Sequence, residues 1–276
     1  MVQVVFAGDW HGNLPWAIGR IQSIGASGVT TILHVGDFGI WPGASGKRYL
    51  QAVENTCARD DVEILVTPGN HEDWSRLTSL WANPKQRNPD TGAALPLDLT
   101  DHIRVLPRGH RFEIDGVSFM SFGGAASVDK HLRTEGVDWW PEEMPSEDDV
   151  RAAIAGGSVN VLITHDSPEP EWCVPAVRET LAYNPQGWPQ ESLSWAAVSR
   201  ARVNRVFEAA RPQLLVHGHH HVFGERTLQL PGIEHLTHVV SLGSDGESGN
   251  VWRLDLESFK YRSDTAGDPS RADLSL

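Results

Sequence analysis

The sequence predicts an α/β fold with two central mixed sheets and helices outside, and two observations carry this expectation. Apolar runs alternate with amphipathic stretches through residues 2–67, the pattern of parallel strands joined by helices. Further along, a hairpin and two late strands call for a second sheet.

Val2 to Ala7 is a short apolar run that ends in Gly8-Asp9 and reads as a buried strand. Asn13 caps the next element, with Pro15 in its first turn. Leu14, Ala17, Ile18, Ile21 and Ile24 then recur at helical spacing, and Gly25 or Gly28 stops the helix. Thr31 to Val35 is a second strand ending in Gly36-Asp37, and Leu50, Val53 and Cys57 mark a second helix. Val62 to Thr67 is a third strand, which ends in Pro68-Gly69-Asn70-His71.

Asp115-Gly116 between Phe112–Ile114 and Val117–Phe122 is a hairpin signal. Ser146 to Ala155 reads as a capped helix closed by Gly156-Gly157. Val159 to Thr164 is a strand ending in His165, and residues 166–192, rich in Pro, Trp and Glu, read as a long surface excursion. Trp195 to Ala210 is an amphipathic helix, and Gln213 to Val216 is a strand that runs into His217-Gly218-His219-His220-His221. Val239–Leu242 and Val251–Leu256 are the late strands. Residues 1–262 read as a single domain, and 263–276 as a polar, frayed tail.

Composition narrows the function. The 276 residues carry a net charge of −13, which argues against a broad surface for duplex nucleic acid. A small nucleotide or short single strand held near a metal stays open. Two cysteines, Cys57 and Cys173, make no disulfide framework. There is no apolar stretch of roughly 18 residues for a membrane span and no secretory signal pattern, so the protein reads as cytoplasmic with no membrane partner. The oligomeric state is open.

Residues of metal-ligand type cluster at the C-terminal ends of the predicted strands. They are Asp9 and His11, Asp37, Asn70 and His71, His165, and His219 and His221. Ligands in open α/β sheets collect at that edge. Hydrolysis of a phosphate ester needs a strong nucleophile at neutral pH and relief of charge on the phosphate oxygens. Two divalent ions about 3.5–4 Å apart supply both, by acidifying a shared water and clamping the attacking and leaving oxygens. Imidazole and carboxylate suit Zn, Mn and Fe. The two carboxylates leave such a site net positive, ready for a phosphate monoester or diester anion.

In these residues the chain resembles the calcineurin-like metallophosphoesterases. The motifs are Gly8-Asp9-Trp10-His11-Gly12-Asn13, Gly36-Asp37, Gly69-Asn70-His71-Glu72, Thr164-His165 and Gly218-His219-His220-His221, in that order. The resemblance implies a four-layer sandwich and two divalent metals, with Mn favoured. It implies that Asp9, His11, Asp37 and His221 hold one ion, and that Asp37, Asn70, His165 and His219 hold the other. It also implies that Asn70 and His71 touch the substrate and that His71 protonates the leaving oxygen. Protein phosphatases of this family continue the second motif with an Asp and an Arg, but Phe38-Gly39-Ile40-Trp41 stands here, so the resemblance to that branch breaks. Phe122-Gly123-Gly124-Ala125, Arg133 and Thr164-His165-Asp166-Ser167-Pro168 are similar to bacterial and phage phosphodiesterases of small substrates, including cyclic nucleotides. They are more distantly similar to RNA lariat debranching enzymes.

The expected activity is hydrolysis of small phosphodiesters, with a phosphomonoesterase or an inactive interaction scaffold as alternatives. Arg133 could pair with substrate phosphate or sit in a surface salt bridge. Trp139, Trp140 and Trp172 could stack on a base or cover core edges. His217 and His220 are expected to flank the site, and His34 to pack behind it.

Overall fold

The computed structural model describes residues 2–259. The tail expected at 263–276 lies outside the described residues. Elements alternate as the apolar pattern dictates: β1 Gln3–Ala7, α1 Leu14–Ala26, β2 Thr31–His34, α2 Gly43–Asp60, β3 Glu63–Val66 and α3 Trp74–Trp81. Then come β4 Leu97–Asp98, β5 Ile103–Val105, β6 His110–Ile114, β7 Val117–Phe122, α4 Glu147–Ala155 and β8 Val161–Thr164. The chain continues with α5 Pro175–Tyr183, α6 Gln190–Ala210, β9 Leu214–His217, β10 Gly224–Gln229, β11 Leu236–Ser241 and β12 Val251–Asp255.

Local chemistry sets the boundaries. The Asn13 side chain accepts from the Trp16 amide at the start of α1. The helix passes through Gly25 and ends before Gly28, whose φ of +82° needs no Cβ penalty. Ser146 and Asp149 form a reciprocal capping box on α4. Asp115 and Gly116, both at positive φ, make the tight turn between β6 and β7.

Two six-stranded sheets result, in the orders β12-β1-β2-β3-β5-β4 and β10-β11-β9-β8-β7-β6. Each has four parallel strands inside an antiparallel strand at either edge. Alternation along the strands builds three apolar layers. Val4, Phe6, Leu33, Phe119, Ile163 and Val216 fill the space between the sheets. Val5, Ile32 and Ile64 pack on α1 and α2 through Ile21, Ile24 and Val53. Leu162, Leu215 and Val239 face Val150, Val203 and Phe207 on the other side. The expected four-layer sandwich is present.

One expectation needs correction. Residues 166–192 are not a simple surface excursion: they contain α5, and Asp166, Ser167, Cys173, Val174 and Val177 are buried. Pro175 at the first helical position and an apolar anchor at Val177 explain the helix. Trp140 and Trp172 pack on the apolar layers, as core-edge covers do.

Candidate metal centre

The parallel strands of both sheets deliver their C-terminal ends to one place. Asp9, His11, Asp37 and His221 each present one ligand atom there, all within 4.8 Å of one another. Asp37 Oδ2 lies 3.4 Å from His11 Nε2, 3.4 Å from His165 Nε2 and 3.8 Å from His71 Nε2. Asn70 Oδ1 is 3.0 Å from His165 Nε2, and the His165 and His219 rings are 5.1 Å apart. Asp9 Oδ1 is 3.4 Å from His221 Nε2 and accepts from the His219 amide at 3.0 Å. Buried Asp9 Oδ2 has no hydrogen-bond partner. A carboxylate oxygen left so among imidazoles fits a cation, and the oxygen and nitrogen donors suit divalent metals.

Backbone strain concentrates at the same place. Among the described residues, nine other than glycine have positive φ. Asp61, Asn184 and Arg211 are helix C-caps and Asp115 is the hairpin turn. The other five are Asp9, His11, Asp37, His219 and His221. Left-handed backbone costs roughly 1–2 kcal/mol for an L-residue and persists where surroundings over-determine it. Glycines let the pieces meet: a Cβ on Gly36 would collide with the His165 ring, and one on Gly69 with the Asp37 carboxylate.

Buried side chains hold these loops. Glu72 Oε1 accepts from the amides of Phe38 (2.6 Å) and Gly39 (3.3 Å), and its Oε2 from that of Gly69 (2.5 Å). It thereby ties the Asp37 loop to the Asn70 loop. Burial and the Asp37 charge push its carboxyl up to about 7. Ser127 donates its hydroxyl to Glu143 and accepts from Asn70 Nδ2 at 2.9 Å. That polarity turns Asn70 Oδ1 toward His165. Arg108 fixes the Glu143 segment by donating to the carbonyls of Gly123, Glu142 and Glu143 while lying 4.0 Å over the Trp74 ring. Glu72 was visible in the third motif. Ser127, Glu143 and Asp245, which faces His11 Nδ1 at 3.1 Å, had no sequence signal.

The remaining residues fall around this core. His71 donates its amide to Asp37 Oδ1. Its Nε2 accepts from Arg133 Nη2 at 3.4 Å, and burial holds the imidazole below its ordinary range. Arg133 is also gripped by both Asp129 oxygens and donates to the Asp138 carbonyl. His34 is buried edge-on to Trp10 and Phe38. His217 and His220 lie behind the site, with His220 Nε2 3.0 Å from Ser167 Oγ and 3.5 Å from Asp166 Oδ1. Despite burial, the surrounding carboxylates push His165 up to about 10 and His11 up to about 9, whereas burial holds His219 well below its ordinary range. Among the described residues no helix is long and apolar enough to cross a membrane.

No curated protein sequence matches the chain. Among solved structures, TT1561 of Thermus thermophilus is similar over 93% of this chain and 95% of its own, at 15% identity and a TM-score of 0.53. A dimetal phosphatase from Danio rerio aligns over 90% of this chain and 89% of its own, at 13% identity and a TM-score of 0.49. At 15% identity the likeness to TT1561 concerns the fold. The family model for calcineurin-like phosphoesterases matches residues 2–223, which is most of the chain. This chain belongs to the calcineurin-like phosphoesterase family.

Proposed function

We propose that the protein is a dinuclear-metal phosphodiesterase acting on small diesters such as cyclic nucleotides. The observation that carries the dinuclear part of this reading is Asp37 Oδ2, equidistant at 3.4 Å from His11 Nε2 and His165 Nε2. One carboxylate between two imidazole sets is what a bridging ligand requires. In this reading Asp9, His11, Asp37 and His221 hold one ion, and Asp37, Asn70, His165 and His219 the other. Mn is the favoured metal. When bound, such a pair supplies an activated water and neutralises charge on the phosphate oxygens.

The chain's own residues then divide the remaining work. In this reading Asn70 and His71 contact the phosphate. His71 Nε2 accepts from Arg133, so the ring enters the reaction neutral. We assign to that atom the proton released from the attacking water, passed on to the departing ester oxygen. Support for a diester comes from Arg133, four of whose five N–H donors already have partners. Its charge is offset by Asp129, so it adds little for the second negative charge of a monoester. In this reading its remaining Nη1 hydrogen is the one left to donate to a phosphate oxygen.

Rates on a bis-aryl and a mono-aryl phosphate, with Mn, Fe or Zn added to stripped enzyme, test the reading. Faster turnover of the monoester with every metal would overturn the diester assignment. His71→Ala should retain both ions and lose about 10²–10⁴-fold in turnover, with a smaller loss for acidic leaving groups. An equal loss across leaving groups of rising pKa would remove His71 from the acid role.

A further inference from the structure

The loop after β11 reaches back into the metal centre from beyond residue 223, where the family match ends. Asp245 is its contact. Oδ1 lies 3.1 Å from His11 Nδ1, Oδ2 accepts from Asn13 Nδ2 at 2.7 Å, and its backbone amide donates to the Asp9 carbonyl at 2.9 Å. One residue thus touches three positions of the first motif. Asn250 anchors the other end of the loop. Its Oδ1 accepts from the indoles of Trp10 and Trp16, and its Nδ2 donates to the carbonyls of Gly8 and Gly243.

An imidazole ligates through one nitrogen, and the partner of the other nitrogen decides which. A carboxylate at Nδ1 keeps the proton there and leaves the Nε2 lone pair free. Nε2 is the His11 atom that faces Asp37. We infer that Asp245 is a positioning residue for His11, fixing its tautomer and ring direction, and that the 243–250 loop is a working wall of the metal centre. The inference rests on the proposed reading of His11 as a metal ligand.

The test is metal affinity, measured by titrating Co²⁺ into stripped protein and following its visible absorption, for wild type, Asp245→Asn, Asp245→Ala and His11→Ala. Asn keeps the shape of Asp and can accept one hydrogen bond, so a purely structural loop role would survive it. The expected result is a loss of affinity of roughly 10–100-fold for Asp245→Ala and a smaller loss for Asp245→Asn. Both should still reach the wild-type stoichiometry at high Co²⁺. His11→Ala should lose one equivalent. Wild-type affinity in Asp245→Asn, whatever Asp245→Ala does, with one equivalent lost in His11→Ala, overturns this inference and spares the metal reading. Full stoichiometry in His11→Ala overturns the metal reading itself.

Discussion

Replacing Glu72 with alanine should remove a large part of the protein's stability, although Glu72 makes no contact with substrate in the proposed reaction. Its carboxylate is fully buried and accepts from three backbone amides, those of Phe38, Gly39 and Gly69. Alanine would leave all three donors without a partner. A buried polar group that loses its partner costs about 1–3 kcal/mol, so the three together amount to roughly 3–9 kcal/mol. Domains of this kind are stable by only about 5–15 kcal/mol. Glu72→Gln keeps the volume and one acceptor oxygen but turns an amide N–H₂ against backbone N–H. If that group faces Gly69, a single amide loses its acceptor, and the loss falls to about 1–3 kcal/mol. Urea unfolding of metal-stripped protein, followed by far-ultraviolet circular dichroism, reads these values without a contribution from bound ions. An alanine variant within about 1 kcal/mol of wild type would refute the claim that this carboxylate holds the two loops together.

Other perturbations have equally definite outcomes. Ser127→Ala removes the acceptor of Asn70 Nδ2 and a donor to Glu143, and should weaken Co²⁺ binding by about 10–100-fold; unchanged binding would show that Ser127 does not orient Asn70. Glu54 accepts from the Thr100 hydroxyl, the His102 amide and His102 Nδ1, and despite burial these donors hold its pKa below the ordinary 4.5. A depressed carboxyl stabilises the fold above the unfolded-state pKa, and that stability is lost as pH falls through the folded-state value. Glu54→Gln should therefore be destabilised at pH 7 by about 1–3 kcal/mol, and the gap should close as pH falls through the depressed folded-state pKa of Glu54. A gap of constant size across that range would refute the linkage.

How much of this was legible depended on the kind of signal. Strands β1, β2, β3 and β8 were readable because each is an apolar run closed by a ligand-type residue. The hairpin turn and the α4 capping box carry local chemistry that needs no tertiary context. Helix α5 was hidden because Pro, Trp and Glu around it resemble loop composition, although Pro175 is a start signal. The motif residues were visible through fixed spacing, and four of them do meet within 4.8 Å. Their supports were not. Ser127 and Asp245 lie in loops without period and Glu143 in the single-turn 3-10 helix Pro141–Glu143, and each is recruited by how the two sheets bring distant segments together. His217 and His220 could be set apart from the proposed ligands by motif position, but their surroundings at Asp166 and Ser167 could not be foreseen.

The pairing of β1 with β12 bears on the order in which a growing chain can mature. All seven proposed ligands have been synthesised by residue 221, yet the strand that closes the free edge of β1 begins at Val251. Until it arrives, β1 exposes unpaired backbone groups that invite pairing with other chains. The Gly8 carbonyl likewise waits for Asn250, and the Asp9 carbonyl for Asp245. A released chain cut back to residues 1–223 should carry every proposed ligand and still bind metal more weakly than the full chain, because the contacts of Asp245, Asn250 and β12 are missing.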